Sequence, residues 1–301
     1  MFNTIKTAGR TAINSVLRTT PQDLYDFLGD DVVEGTSDGF ANAGKPLWLN
    51  FGYWEQAQTY PEAARALATL LGDAAQLNPN DRQLDVGFGL AEQDFFWLEK
   101  YGVGHITGLN ITPMQVEKAR ERVKERGLES RISLGLGSAT ATPFLSETFT
   151  KVTALECAFH FRTREVFFEE AFRVLKPGGR LALADAAAPE GTPVAKPGLI
   201  ARYAMKHYAT PIANYYDRNE FKRKLERVGF VNVQMRSIGQ FVNPQYQRYH
   251  RMRNAGMPME KAVVRPIPQA ERDAWQARWS KLGMLTDYLI ISADKPAARA
   301  S

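Results

Sequence analysis

From position 82 onward the chain alternates short apolar runs with longer amphipathic ones. Arg82 to Val86 is an apolar run holding one acid, Asp85, and it stops at Gly87-Phe88-Gly89; this pattern predicts a buried strand followed by a tight turn. A helix is predicted over Ala91 to Tyr101 and a second strand over His105 to Asn110. Thr112-Pro113-Met114-Gln115 then reads as a capping box, with proline in the first turn, for a helix ending near Gly127. Arg131 to Leu136 and Lys151 to Glu156 predict a third and a fourth strand. Thr163 to Leu175 predicts a helix stopped by Lys176-Pro177-Gly178-Gly179, and Arg180 to Asp185 a fifth strand. Strands alternating with helices in this way predict an α/β fold, a mostly parallel sheet with helices on both faces.

The flanks follow other patterns. Phe2, Ile5, Ile13, Val16 and Leu17, with Lys6, Arg10 and Arg18 and no acid among them, predict a basic amphipathic helix over residues 2–18 that packs on the main domain or touches a membrane surface. Residues 30–46 read as a loop before the aromatic cluster Trp48 to Trp54, and Thr59 caps a helix running to about Leu77. Beyond Asp185 the alternation lapses into an inserted cap, with Leu199 to Tyr216 rich in tyrosine. Asp217-Arg218-Asn219-Glu220 opens a helix to Val228, and Phe230 to Ile238 is a sixth strand. Helical stretches around Tyr246 to Arg253 and Gln269 to Leu282 precede a last strand, Met284 to Ala293. The expected division is an N-terminal helical cap over 1–80, a main domain over 81–295 to which 187–217 and 240–282 add an acceptor-side cap, and a tail over 296–301.

Composition narrows the function classes. The 301 residues are 44% hydrophobic and 24% charged, with no apolar run long enough to span a bilayer, so a cytoplasmic globular protein is expected. The net charge of +5 is mild, and its basic residues are interleaved with acids in Glu117 to Glu125 and Glu220 to Arg227, which predicts solvated helix faces and no nucleic-acid partner. Cys157 is the single cysteine, and the histidines are scattered at 105, 160, 207 and 250, so no metal site is expected. The glycine turn fits an adenosyl ligand. A dinucleotide G-x-G-x-x-G would need glycine where Glu92 stands, and an acid there would repel a pyrophosphate, whereas Asp85 and Glu92 would attract a sulfonium and an ammonium group.

With Gly108-Leu109-Asn110-Ile111-Thr112, Pro143-Phe144 and Val174-Leu175-Lys176-Pro177-Gly178-Gly179 added to that turn, residues 48 to 293 resemble the class I S-adenosylmethionine-dependent methyltransferases. The resemblance implies a Rossmann-like seven-stranded sheet with its last strand antiparallel, and S-adenosyl-L-methionine as cofactor across the carboxyl ends of the first strands. It implies that Asp85, Gly87 and Gly89 hold the methionine end, with Phe88, Ile111, Ala139 and Thr140 beside the cofactor. Three positions depart from the common pattern: Ala91 replaces a glycine, Asn110 stands where an acid grips the ribose, and Ser138 where an acid meets the adenine amine. An amide and a hydroxyl keep the hydrogen bonds without the strength of a charge. Asn110-Ile111-Thr112 with Gln115, and Asn50-Phe51-Gly52-Tyr53-Trp54-Glu55, resemble the branch of cyclopropane fatty-acid synthases, sterol and tocopherol methyltransferases and macrolide-tailoring methyltransferases, in which Tyr53 and Gln115 would touch the cofactor.

Candidate chemistry lies in Leu155-Glu156-Cys157-Ala158-Phe159-His160, which resembles the Glu-x-x-x-His segment of sterol methyltransferases. Methyl transfer needs alignment and a dry site, and a base only when a proton leaves. Glu156 would stabilise and deprotonate a carbocation on an alkene acceptor, or only bind the cofactor; His160 suits a hydroxyl acceptor, or is a structural histidine. Trp54, Phe159, Tyr203, His207, Tyr208, Tyr215, Tyr216 and Tyr246 are candidates to line an acceptor pocket. Arg248, His250, Arg251 and Arg253 read as a solvated basic face or an anion contact. The expectation is a methyltransferase acting on a small hydrophobic metabolite of polyketide, terpenoid or lipid type, as a monomer or homo-oligomer. The alternatives are a C-methyltransferase of an isoprenoid diphosphate with Glu156 as base and Mg2+ on the diphosphate, a nicotinamide-dependent oxidoreductase, and a non-catalytic cofactor-binding scaffold.

Overall fold

A computed structural model of the chain describes residues 47–298. The expected helix over 2–18, the loop over 30–46 and the end of the tail lie outside the described residues.

The apolar runs become one seven-stranded sheet in the order β3-β2-β1-β4-β5-β7-β6. Its strands are β1 (Arg82–Val86), β2 (His105–Asn110), β3 (Ile132–Leu136), β4 (Phe149–Leu155), β5 (Leu175–Ala187), β6 (Val231–Ser237) and β7 (Asp287–Asp294). All pairs from β3 to β5 are parallel, and β7 enters antiparallel between β5 and β6. The order reverses at β1, which pairs β2 on one side and β4 on the other, so the carboxyl ends of these strands form the crevice where ligands of such sheets sit.

Helices cover both faces. On one, α1 (Tyr60–Ala75) and α2 (Glu92–Tyr101) pack together, Trp97 fully buried with its indole N–H donating to the Ala68 carbonyl at 2.8 Å. On the other, α4 (Arg164–Val174) and the helix over Arg218–Val228 bury Phe167, Phe168 and Phe221 against β4 and β5. Each such side chain contributes about 1.5–3 kcal/mol relative to exposure. In chain order α3 (Pro113–Glu125) precedes α4, α5 (Leu199–His207) forms the inserted cap, α6 is Arg218–Val228, and α7 (Asn243–Asn254) and α8 (Gln269–Lys281) follow.

Of the two predicted capping boxes, one supplies its cap and the other does not. The Asp217 carboxylate does cap α6, accepting from the Glu220 N–H at 2.9 Å. At α3, however, the Thr112 hydroxyl has no partner and Gln115 does not reach back to the helix start; its side-chain carbonyl accepts instead from the Asn110 amide at 2.8 Å. The residue that looked like a cap is committed to the ligand crevice.

Candidate active site

A cavity of about 370 Å3 opens at the crevice. It gathers Gly87, Phe88 and Gly89 from the turn after β1, Asn110, Ile111 and Gln115 from the end of β2 and α3, Ser138, Ala139 and Thr140 after β3, and Glu156 and His160 after β4. Gly87 has φ +72°, and a Cβ there would fall 2.6 Å from the Cβ of Cys157, so this position admits only glycine. Ala91, which stands in place of a glycine, is itself left-handed at φ 62°.

The acids of the turn do not act as their charge suggested. Asp85 is fully buried behind the cavity wall, accepting from the Thr153 hydroxyl at 2.7 Å and from the Gln93 amide at 3.1 Å. Glu92 pairs with the Arg122 guanidinium, which also donates to the Leu90 carbonyl, and accepts the Leu47 N–H at 3.0 Å. Its charge is spent on holding the chain at residue 47 over the cavity rather than on a ligand.

Glu156 follows β4 in a left-handed conformation, φ 54°, which costs a non-glycine residue about 1–3 kcal/mol. Both its oxygens accept from the Phe51 N–H, at 3.0 and 2.9 Å, and Oε1 also accepts the Tyr288 hydroxyl at 2.5 Å. Burial pushes its carboxyl up to about 8 against the pull of those hydrogen bonds. The carboxyl group thereby anchors the segment carrying Leu49 and Asn50, which line the cavity.

His160 sits in a short 3-10 turn, Ala158–His160, only 5% exposed, with Nδ1 3.5 Å from the Ala209 carbonyl of the inserted cap. Burial lowers it to about 4, so the ring is neutral at ordinary pH. A fully buried cluster fixes this turn. Arg164 Nε donates to Asp185 at 2.8 Å, and its two terminal nitrogens donate to the Asn214 and Ala186 carbonyls, each at 2.6 Å. The Asn214 amide in turn donates to the carbonyls of Phe159 and Phe161, which flank His160. Every arm of the buried guanidinium is thus satisfied, the condition under which a buried charge is tolerable.

Most of the aromatic candidates for an acceptor pocket lie elsewhere. Trp54 is buried in the core beside Tyr249, its indole N–H donating to the Phe51 carbonyl. Tyr53 turns to Glu55 and Arg236 and is absent from the lining, as is Tyr246, which stacks on Phe51 at 4.3 Å. Tyr216 packs under the Arg164 guanidinium, and Tyr215 donates to the Gly283 carbonyl at 2.8 Å. Tyr203 and Tyr208 face outward, 67% and 52% exposed, with His207 packed against the ring of Tyr208. Phe159 is likewise absent from the lining, though its ring lies 4.1 Å from that of His160, which is part of it. The basic stretch of α7 is tied locally, Arg248 to Glu271 and Arg253 to the Met257 carbonyl. The lining also includes Leu47, Leu49, Gln93, Phe161 and Arg162, for which the sequence carried no signal beyond nearness to a motif, and Asn50 and Cys157, which stand inside the motifs around Tyr53 and Glu156 without being candidates themselves. Cys157 is inert as a nucleophile there, since burial raises its thiol well above the usual range and it donates to the Val86 carbonyl.

Comparison with known proteins agrees with this geometry. The family described as "Methyltransferase domain" matches residues 84–183. Erythromycin 3''-O-methyltransferase of Saccharopolyspora erythraea is 34% identical over 284 residues, 91% of this chain and 89% of that protein. The 27-O-demethylrifamycin SV methyltransferase of Amycolatopsis mediterranei is 35% identical over 152 residues, 49% of this chain and 56% of its own. Among solved structures, the [4+2]-cyclase SpnF superposes with a TM-score of 0.66 at 21% identity, covering 93% of this chain and 97% of that one. Geranyl diphosphate C-methyltransferase from Streptomyces coelicolor A3(2) gives 0.63 at 17%, covering 87% and 91%, and both likenesses show the fold. The chain belongs to the S-adenosylmethionine-dependent methyltransferases, in their small-molecule branch.

Its cofactor is S-adenosyl-L-methionine, and the residues present suit it. The turn at Gly87 and Gly89 offers bare backbone, no lysine among the described residues lines the cavity, and the Asn110–Gln115 pair and the Ser138–Thr140 hydroxyls, 2.8 Å apart, offer neutral hydrogen-bonding groups for a nucleoside. Among the described residues no helix is long and apolar enough to cross a membrane, and no group of three or more His, Cys, Asp and Glu is placed to hold a metal ion.

Proposed function

We propose that the enzyme methylates a hydroxyl of a polyketide- or macrolide-type acceptor, with His160 as the proton acceptor. The observation that carries this reading is a neutral, buried imidazole in the cavity wall, its turn fixed by Arg164, Asp185 and Asn214. Asp85, Gly87 and Gly89 would serve the methionine end, Asn110 and Gln115 the ribose, and Ser138, Ala139 and Thr140 the base. Bound S-adenosyl-L-methionine supplies a methyl group on a positively charged sulfur and leaves as a neutral thioether. His160 would take the proton that the acceptor hydroxyl releases as it gains the methyl group. The positive charge inside the cavity is thereby conserved, which a low-dielectric site favours.

Glu156 suits this role less. Its oxygens already take the Phe51 N–H and the Tyr288 hydroxyl, so a carboxylate freed to deprotonate a carbocation would release the wall it anchors. The isoprenoid diphosphate alternative has less support, since the lining brings Arg162 and His160 as its basic groups beside the acid Glu156. The inserted cap, whose Ala209 carbonyl meets His160, is the part of the fold we assign to the acceptor side. The full-length relative, an erythromycin O-methyltransferase, agrees with a hydroxyl acceptor.

The test is His160→Asn assayed with methyl-labelled cofactor on a panel of macrolides bearing free hydroxyls. Loss of a general base lowers kcat by about 10²–10⁴-fold. The affinity for S-adenosylhomocysteine, followed by calorimetry, should hold. A variant keeping most of the wild-type kcat would remove His160 from the chemistry.

A further inference from the structure

The motif Gln93-Asp94 at the start of α2 is so far unexplained. Gln93 lines the cavity beside the glycine turn, and both hydrogens of its amide are committed, Nε2 donating to Asp85 at 3.1 Å and to the Phe88 carbonyl at 3.0 Å. Since the Phe88 carbonyl can only accept, the orientation of the amide is settled and its carbonyl oxygen is left as an acceptor. Behind it lie two carboxyl groups, Asp85 and Asp94, each fully buried. Neither Asp94 oxygen meets a donor, and burial raises both carboxyls while the Asp85 charge raises Asp94 further, so the pair holds a proton. Burial raises Asp85 too, to about 7, but Asp85 accepts from Thr153 and Gln93 while Asp94 has no donor, which makes Asp94 the protonated member. The remaining carboxylate polarises the Gln93 amide, so that its carbonyl carries more negative charge toward the cavity than an isolated amide would.

We propose that Gln93 is the residue that recognises the primary ammonium of the cofactor's amino-acid moiety, accepting one of its hydrogens and relaying the buried charge of the Asp85–Asp94 pair. The arrangement selects a cation without exposing a carboxylate. It explains why an acid at position 85 serves a ligand it does not face: Asp85 acts through Gln93. Asp94 is a positioning residue in this scheme, its proton fixing Asp85 as an acceptor toward Gln93 and Thr153. The proposal concerns the cofactor alone and stands whether or not the acceptor is a hydroxyl.

The test is a cycle of four dissociation constants measured by calorimetry: wild type and Gln93→Leu, each with S-adenosylhomocysteine and with its analogue lacking only the α-amino group. A hydrogen bond to a charged group predicts that Gln93→Leu weakens S-adenosylhomocysteine by about 10–100-fold. The deamino analogue should be weakened far less, giving a coupling of at least about 10-fold. Equal weakening of the two ligands would show that Gln93 only supports the turn and would overturn the proposal, as would no weakening of either. Gln93→Asn, which keeps the amide but withdraws its carbonyl by one methylene, serves if the leucine variant does not fold, and the same coupling is required of it. For the positioning role, Asp94→Asn retains a donor to Asp85 and should restore the affinity that Asp94→Ala loses; failure of that rescue would remove Asp94 from the relay.

Discussion

At the residue scale, the two groups after β4 titrate in opposite senses. His160 is lowered to about 4 by burial, so the unfolded chain takes up its proton first, near the ordinary histidine value of about 6.5. Its contribution to stability is therefore complete above that value and lost as pH falls toward 4, by roughly 3 kcal/mol if the shift is fully expressed. Glu156 is raised to about 8 by burial, so the folded chain holds a proton that the unfolded chain has released above its ordinary value of 4.5. Its effect runs the other way: a cost that is absent below the ordinary carboxylate range and grows as pH rises to 8. Two outcomes are expected from thermal melts. His160→Gln should flatten the loss of stability between pH 6.5 and 4. Glu156→Gln, which still accepts from Phe51 and Tyr288, should gain on wild type as pH rises from 5 to 8. Parallel pH profiles for wild type and variants would contradict both assignments.

At the element scale, the loop after β4 and the cap after β5 are joined through one guanidinium. Arg164 begins α4, Asp185 lies on β5, and Asn214 belongs to the cap, so removing the cation leaves Asp185 buried and unpaired. Arg164→Met should cost about 3–5 kcal/mol and is best compared with the double variant Arg164→Met/Asp185→Leu, which restores apolar balance. Recovery of the melting temperature without recovery of kcat would separate the scaffold from its second task, which is holding the His160 turn. Much of this architecture was legible beforehand. The βα alternation gave the strands because a sheet buried on both faces needs continuous apolar runs. The strand-end residues Gly87, Asn110 and Ser138 reached the cavity because the crevice lies where the order reverses. What was not legible depends on partners far along the chain. Glu92 read as a free acid because its neutralising Arg122 comes a helix later, and the tyrosines of the cap differ in facing, Tyr203 outward and Tyr216 inward, through packing that no local pattern encodes. Leu47 and Leu49 enter the lining only because Glu92 and Glu156 take the N–H groups of Leu47 and Phe51.

At the scale of the whole molecule, residues 47–54 form a wall that touches three parts of the fold. Leu47 is tied to the start of α2 through Glu92, Phe51 to the end of β4 through Glu156, and Trp54 donates its backbone N–H to the Phe241 carbonyl before α7. Tyr288 of β7 completes the central tie, so residues 47–54, the end of β4 and β7 meet at the Glu156 carboxyl group. Tyr288→Phe removes a buried donor and keeps the ring, a change expected to cost about 1–3 kcal/mol. If the wall only covers the core, that loss appears as a lower melting temperature and nothing else. If the wall also closes the cofactor cavity, two further effects follow. Amides of 47–54 should exchange hydrogen faster in the variant than in wild type, and the affinity for S-adenosylhomocysteine should fall. Ligand linkage supplies the measure: at a concentration of 100 times Kd the ligand adds about 2.7 kcal/mol to the wild-type stability, a rise of roughly 5–10 °C in melting temperature for a domain of this size. The same ligand concentration should raise the variant less, because a weaker Kd lowers the occupancy. An equal rise in both proteins, with unchanged exchange in 47–54, would show that the tie between Tyr288 and Glu156 serves the core and leaves the cavity to its remaining walls.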